Sequence, residues 1–223
     1  RFARLAPREG DAMKRAIFAL LVAVAAAGED GRAAAAPRAP NIVYILADDL
    51  GYGDVQSLNP KGKIPTPHLD RLAAGGIALT NAHSSSAVCT PSRYSILTGR
   101  YAWRSTLKQS VLGGFSPPLI EDGRLTVAQL LRREGYATAI FGKWHLGLEW
   151  ATRAASATSG AAKAKKGGGA VNANTVDFTQ PFRRGPTTRG FDEFFGISAS
   201  LDMPPYAYLA GDRITAVPTK ERT

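Results

Sequence analysis

An α/β fold with a mostly parallel sheet flanked by helices is predicted from three observations. The first is a continuous apolar run, Asn41-Ile42-Val43-Tyr44-Ile45-Leu46-Ala47, rich in β-branched residues, which suits a strand covered on both faces. The second is a pair of amphipathic helical segments closed by glycine, residues 65–73 before Gly75-Gly76 and residues 126–134 before Gly135. The third is Tyr136-Ala137-Thr138-Ala139-Ile140-Phe141, a strand pattern directly after the second helix, so that strand and helix alternate from 41 to 141. At 223 residues the chain is long enough to bury the core of one α/β domain or most of one.

Charge is unevenly placed. The formal net charge is +10, yet residues 1–40 carry seven basic and four acidic side chains and residues 151–190 carry seven and one. The remainder is close to neutral, and neither basic stretch shows a recognition-helix pattern or regular aromatic interleaving, so no nucleic-acid partner is expected. Residues 1–40 read as a leader and linker. Met13-Lys14-Arg15, the apolar run 16–27 and the small-residue tracts to Ala36 follow the order of a secretory signal peptide at 13–36, with Met13 as the start and export to the periplasm or beyond. The run is too short for stable membrane insertion. A disordered Ala-rich extension is the alternative. Residues 151–174, rich in Ala, Gly, Ser, Thr and Lys, read as a low-complexity surface insertion within a domain spanning 41–223.

The first apolar run stops at Asp48-Asp49, followed by Leu50-Gly51-Tyr52-Gly53-Asp54. Carboxylates at the carboxyl end of a parallel strand sit where open α/β sheets place ligands. Two adjacent carboxylates repel, and a cation relieves that cost. A turn with a helix cap also accommodates such a pair. In the first helix Leu69, Leu72 and Ala73 share the apolar face, and residues 77–82 form a short strand leading to His83 and Ser84-Ser85-Ser86. His68 and His83 read as a helix-surface residue and a loop hydrogen-bonder, not as ligands.

The sole cysteine lies in Val88-Cys89-Thr90-Pro91-Ser92-Arg93, which runs on through Leu97-Thr98-Gly99-Arg100. Thr90 is expected to cap a helix and Pro91 to occupy its first position. The free N–H groups of such a turn hold anions, and Arg93 adds a fixed cation. A lone cysteine can equally be a small buried hydrophobe. The strand at 136–141 ends in Gly142-Lys143-Trp144-His145-Leu146-Gly147. Lys143 and His145, two apart, point the same way in an extended stretch, while Trp144 packs opposite. Thr188-Arg189-Gly190-Phe191-Asp192-Glu193-Phe194-Phe195-Gly196 returns an aromatic cluster to the core.

Cys89-Thr90-Pro91-Ser92-Arg93 with Leu97-Thr98-Gly99-Arg100 resembles the signature of the type I sulfatases, in the alkaline-phosphatase-like fold class. Asp48-Asp49-Leu50-Gly51 and the hexapeptide 142–147 are similar to two further motifs of that family. Leu201-Asp202-Met203-Pro204-Pro205-Tyr206 is a looser match to a segment at the substrate-facing rim.

The resemblance implies that a formylglycine-generating enzyme converts Cys89 to formylglycine (3-oxoalanine), whose hydrate is the nucleophile. It implies a divalent metal, commonly Ca2+ with Mg2+ as the alternative, on Asp48, Asp49 and position 89. Lys143 would contact sulfate and the formylglycine, His145 would hydrogen-bond a formylglycine hydroxyl and act as base, and Arg93 would steady the hydrate. The implied reaction is hydrolysis of a sulfate monoester of a small molecule or carbohydrate. A phosphatase or phosphonate-ester hydrolase on the same scaffold, and a non-catalytic secreted binding module, are the alternatives. The family also uses a further metal pair, a second lysine and a second histidine. Residues 196–223 hold no histidine and only Lys220, so the 223 residues are expected to form the N-terminal part of the catalytic domain and to be inactive alone.

Overall fold

The computed structural model describes residues 39–153 and 171–219. The leader up to residue 38, including the expected signal segment, and most of the expected insertion (154–170) lie outside the described residues. The chain divides after Ala47 into two units. In the first, residues 39–47 have no regular secondary structure. Val43 and Ile45 are 82% and 80% exposed. The strand expected at 41–47 is therefore not formed. A strand exists through its ladder, and no described segment pairs with this run.

The second unit contains three α-helices and a four-stranded sheet among its described residues. Helix α1 is Pro67–Gly75, α2 is Cys89–Thr98 and α3 is Val127–Arg133; the strands are β1 Ala139–Lys143, β2 Glu193–Ile197, β3 Leu209–Ala210 and β4 Arg213–Ile214. Their spatial order is β1-β2-β3-β4. The β1–β2 pair is parallel, in a register that sets Lys143 beside Ile197, whereas β2–β3 and β3–β4 are antiparallel. The sheet is thus mixed rather than mostly parallel. The expected strand at 77–82 is irregular, with Ile77 86% exposed.

Helix α3 follows its sequence signals closely. Thr126 and Gln129 form a reciprocal capping box, and Gly135 leaves the helix at φ +83°. Its N-terminus is tied to the β2 side of the molecule by Thr126 Oγ1, which donates to the Arg189 carbonyl at 2.6 Å. Helix α1 forms where expected, but Leu69 and Leu72 remain exposed among the described residues.

The core collects around the segment that leaves β1. Trp144, Leu146, Leu148 and Trp150 are all buried, together with Tyr94, Ile120, Val176, Phe178, Phe182, Phe194 and Leu209. Trp150 meets Phe178 and Phe182 edge-on at 5.9 and 5.6 Å, a geometry that aligns ring edges with ring faces. The two ends of the expected insertion are joined: Thr152 bridges Val176, and the Arg153 N–H donates to the Thr175 carbonyl at 2.8 Å. One sheet face packs on this core through Phe194, while Phe141 and Phe195 on the other face are exposed.

Candidate active site

The first helical residue of α2 is Cys89, not Pro91, and the N-cap is Val88 with no side-chain cap bond. Thr90 is therefore not the cap. Its side chain is fully buried and turned inward, where Oγ1 donates to the His145 carbonyl at 2.9 Å and accepts from the Leu112 N–H at 3.2 Å. Pro91 sits within the first turn, where its missing N–H costs nothing because the first four helical N–H groups lack intrahelical partners.

Lys143, the last residue of β1, reaches across to this helix start. Its ammonium donates to Asp48 Oδ2 at 2.7 Å, Ser200 Oγ at 2.9 Å and Cys89 Sγ at 3.1 Å. All three donors of the ammonium are used. Arg93, one turn along α2, donates through Nη1 to the Lys143 carbonyl at 2.5 Å and lies 3.6 Å from Asp48 Oδ1. The lysine hydrogen bond holds the Asp48 carboxyl below the usual carboxylate range against the opposing effect of burial, and Arg93 adds to the lowering.

Asp49 follows at φ +58°, and one donor atom from each of Asp48, Asp49 and Cys89 lies within 4.8 Å of the others. The fit to a hard divalent cation is good in part. Two carboxylates supply the oxygen ligands such an ion takes, whereas a thiol sulfur is a soft ligand. An oxygen function at position 89 would complete an all-oxygen set.

His145 departs from the expected geometry. It lies beyond β1 at φ +57°, so the chain is not extended there and the ring does not run alongside the Lys143 side chain. The ring is buried, Nε2 lies 2.6 Å from the Leu112 carbonyl, and Nδ1 has no partner. Burial pushes its pKa down, and the Lys143 and Arg93 charges act in the same direction. The neutral imidazole is favoured in the fold, while the unfolded chain takes up a proton below about pH 6.5. This contribution to stability is complete above about pH 6.5 and is lost as pH falls through the lower folded value. Urea midpoints should accordingly fall between about pH 6.5 and pH 5 in the native chain and stay flatter in His145→Gln; equal slopes would contradict the assignment.

His68 and His83 carry out the modest roles expected of them, contacting Arg71 and Asn81 at the surface at 2.8 Å each. Asp48, Asp49, Cys89, Arg93 and Lys143 do converge. Two contributors escape the sequence reading. Ser200 stands one residue before the rim segment 201–206 and belongs to no motif quoted for it. Thr90 was legible only as a cap. A third group braces α2 from behind: Tyr94 Oη and Arg100 Nη1 both donate to Glu121, at 2.9 and 3.0 Å.

A family model described as Sulfatase matches residues 40–214. The chain is 37% identical over 178 residues to N-acetylgalactosamine-6-O-sulfatase of Bacteroides thetaiotaomicron, covering 80% of this chain and 30% of that protein. It is 45% identical over 133 residues to arylsulfatase A of Bos taurus, covering 60% and 25% respectively. A solved structure from work on glycosaminoglycan metabolism by Bacteroides thetaiotaomicron superposes with a TM-score of 0.64 at 38% identity, over 79% of this chain and 32% of that one. The chain thus spans less than a third of the length of each of these proteins.

Proposed function

The chain belongs to the sulfatase family, and on that premise we propose that it carries the nucleophile, part of a divalent-cation site and a sulfate-binding lysine of a sulfate monoester hydrolase. The observation that supports this reading is the convergence of Cys89, Asp48, Ser200 and Arg93 on the single side chain and backbone of Lys143.

Conversion of Cys89 to formylglycine would supply a nucleophilic oxygen, and a divalent cation (Ca2+, or Mg2+) on Asp48, Asp49 and position 89 would supply charge for sulfate oxygens. The chain's own residues do the positioning. Lys143 holds its ammonium at 3.1 Å from the atom at position 89, within reach of an anion seated there. Arg93 fixes the Lys143 carbonyl and faces Asp48, so the end of β1 and the start of α2 keep one spacing. His145 carries its unpartnered Nδ1 as the acceptor for a proton. Preorganised cations of this kind act on charge that develops in the transition state, where they are worth most.

A sulfated carbohydrate is the proposed substrate, because the N-acetylgalactosamine-6-O-sulfatase that the chain matches is named for one. A sulfatase-maturing enzyme is the proposed partner, and an exported location accompanies the leader pattern at 13–36. No described helix is long and apolar enough to cross a membrane.

The test uses the complete gene product made in a host able to mature sulfatases. Mass spectrometry of the Cys89 peptide should show an aldehyde in place of the thiol, and an aryl sulfate should be hydrolysed in preference to the matching phosphate. An unmodified thiol with no sulfate turnover would refute the proposal; phosphate preference would redirect it to the phosphatase alternative. Lys143→Ala should lower kcat for the sulfate by about 10²–10³-fold, as loss of one preorganised donor does elsewhere.

A further inference from the structure

Three hydrogen bonds close a ring behind the candidate nucleophile. Thr90 Oγ1 donates to the His145 carbonyl at 2.9 Å, the Leu112 N–H donates to Thr90 Oγ1 at 3.2 Å, and the Leu112 carbonyl lies 2.6 Å from His145 Nε2. Each chain segment contributes to two of them. The residues are distant in sequence, so the ring sets the start of α2, the 112 loop and the turn after β1 at one mutual spacing. A carbonyl is an acceptor only, and the ring nitrogen facing it must therefore carry the proton. In neutral imidazole the other nitrogen, Nδ1, then holds the lone pair. That nitrogen is buried and has no hydrogen-bond partner.

We propose that Thr90 is a positioning residue that locks His145 in its Nε2–H tautomer and so keeps Nδ1 available as a proton acceptor. The hydroxyl acts twice. It anchors the Leu112 amide, which aims the adjoining carbonyl at Nε2, and it satisfies the His145 carbonyl at a position where φ is +57° and no strand ladder continues. Valine at position 90 would keep the shape and lose both bonds, while serine would keep both. This inference rests on the proposed role of His145 in sulfate-ester hydrolysis, but the tautomer is read without substrate, metal or conversion of Cys89.

The experiment is long-range 1H–15N correlation of histidine-labelled chain above about pH 7.5, where neutral imidazole prevails. The chain holds three histidines, so His145 is assigned by its absence in His145→Gln. Wild type and Thr90→Ser should give an Nε2–H ring with unprotonated Nδ1, and Thr90→Val a mixture of tautomers. In the matured complete gene product, Thr90→Val should lower kcat roughly 10–100-fold with little change in KM, and Thr90→Ser should restore it. An Nδ1–H ring in wild type overturns the inference, as does an unchanged ring in Thr90→Val. Should Thr90→Val not fold, Thr90→Ala replaces it with the same two outcomes. Absence of sulfatase activity with the tautomer pattern intact would refute the proposed function and leave the positioning role standing.

Discussion

Replacing Cys89 by alanine is expected to abolish sulfate-ester hydrolysis by the matured protein, a fall in kcat of roughly 10⁵–10⁶-fold by analogy with loss of other covalent nucleophiles. Stability is expected to change by no more than about 0.5 kcal/mol. The two halves of this expectation have separate causes. Cys89 is only half-buried at the first position of α2, where its sulfur accepts one hydrogen bond from Lys143. With the sulfur gone, Lys143 still holds Asp48 and Ser200, and alanine is a better helix former than cysteine. A thiol that served packing would give the opposite result: measurable loss of stability with activity retained. Turnover of an aryl sulfate and urea denaturation, measured on the same preparations, distinguish these cases. Retained turnover in Cys89→Ala would remove the nucleophile from position 89 altogether.

What the sequence made legible were features whose causes are local. The capping box at Thr126 and Gln129 and the glycine stop at Gly135 predict α3 because both act within one or two turns. Lys143 was legible because it ends an apolar run, and Cys89 because a small-residue loop runs into a helical pattern there. The run at 41–47 reads as a strand by the same logic, but a ladder needs a partner, and local pattern cannot supply one. Lys143 bonds Ser200 across 57 positions and Thr90 bonds His145 across 55. No periodicity encodes such pairs. The turn at His145 is a case where local reasoning fails in a specific way. Alternation assumes extended backbone, and the left-handed φ at His145, followed by Gly147 at φ +76°, breaks the alternation within two residues of the strand end. A Cβ at Gly147 would lie 2.0 Å from the Pro117 carbonyl oxygen, so the glycine there marks close backbone approach as well as a turn.

Trp144→Ala is expected to destabilise the fold by about 3–5 kcal/mol, the range for deleting a large buried aromatic side chain. Trp144 is 2% exposed, and its indole N–H donates to the Gly147 carbonyl at 2.9 Å. Its backbone N–H extends the parallel ladder by donating to the Ile197 carbonyl at 3.0 Å. The side chain therefore anchors the turn between Lys143, which holds the candidate site, and His145, which closes the Thr90 ring. Trp144→Phe should retain most of the packing and lose chiefly the indole hydrogen bond, worth about 1 kcal/mol net. Urea denaturation of both variants checks the order. A loss in Trp144→Ala below about 1 kcal/mol would mean that the site is held by its polar contacts alone. The larger loss would mean that Lys143 is aimed by the core behind it. Surface ion pairs such as Lys143–Asp48, with the aspartate 42% exposed, contribute too little to hold a strand end in place, and packing at Trp144 is the term large enough to do so.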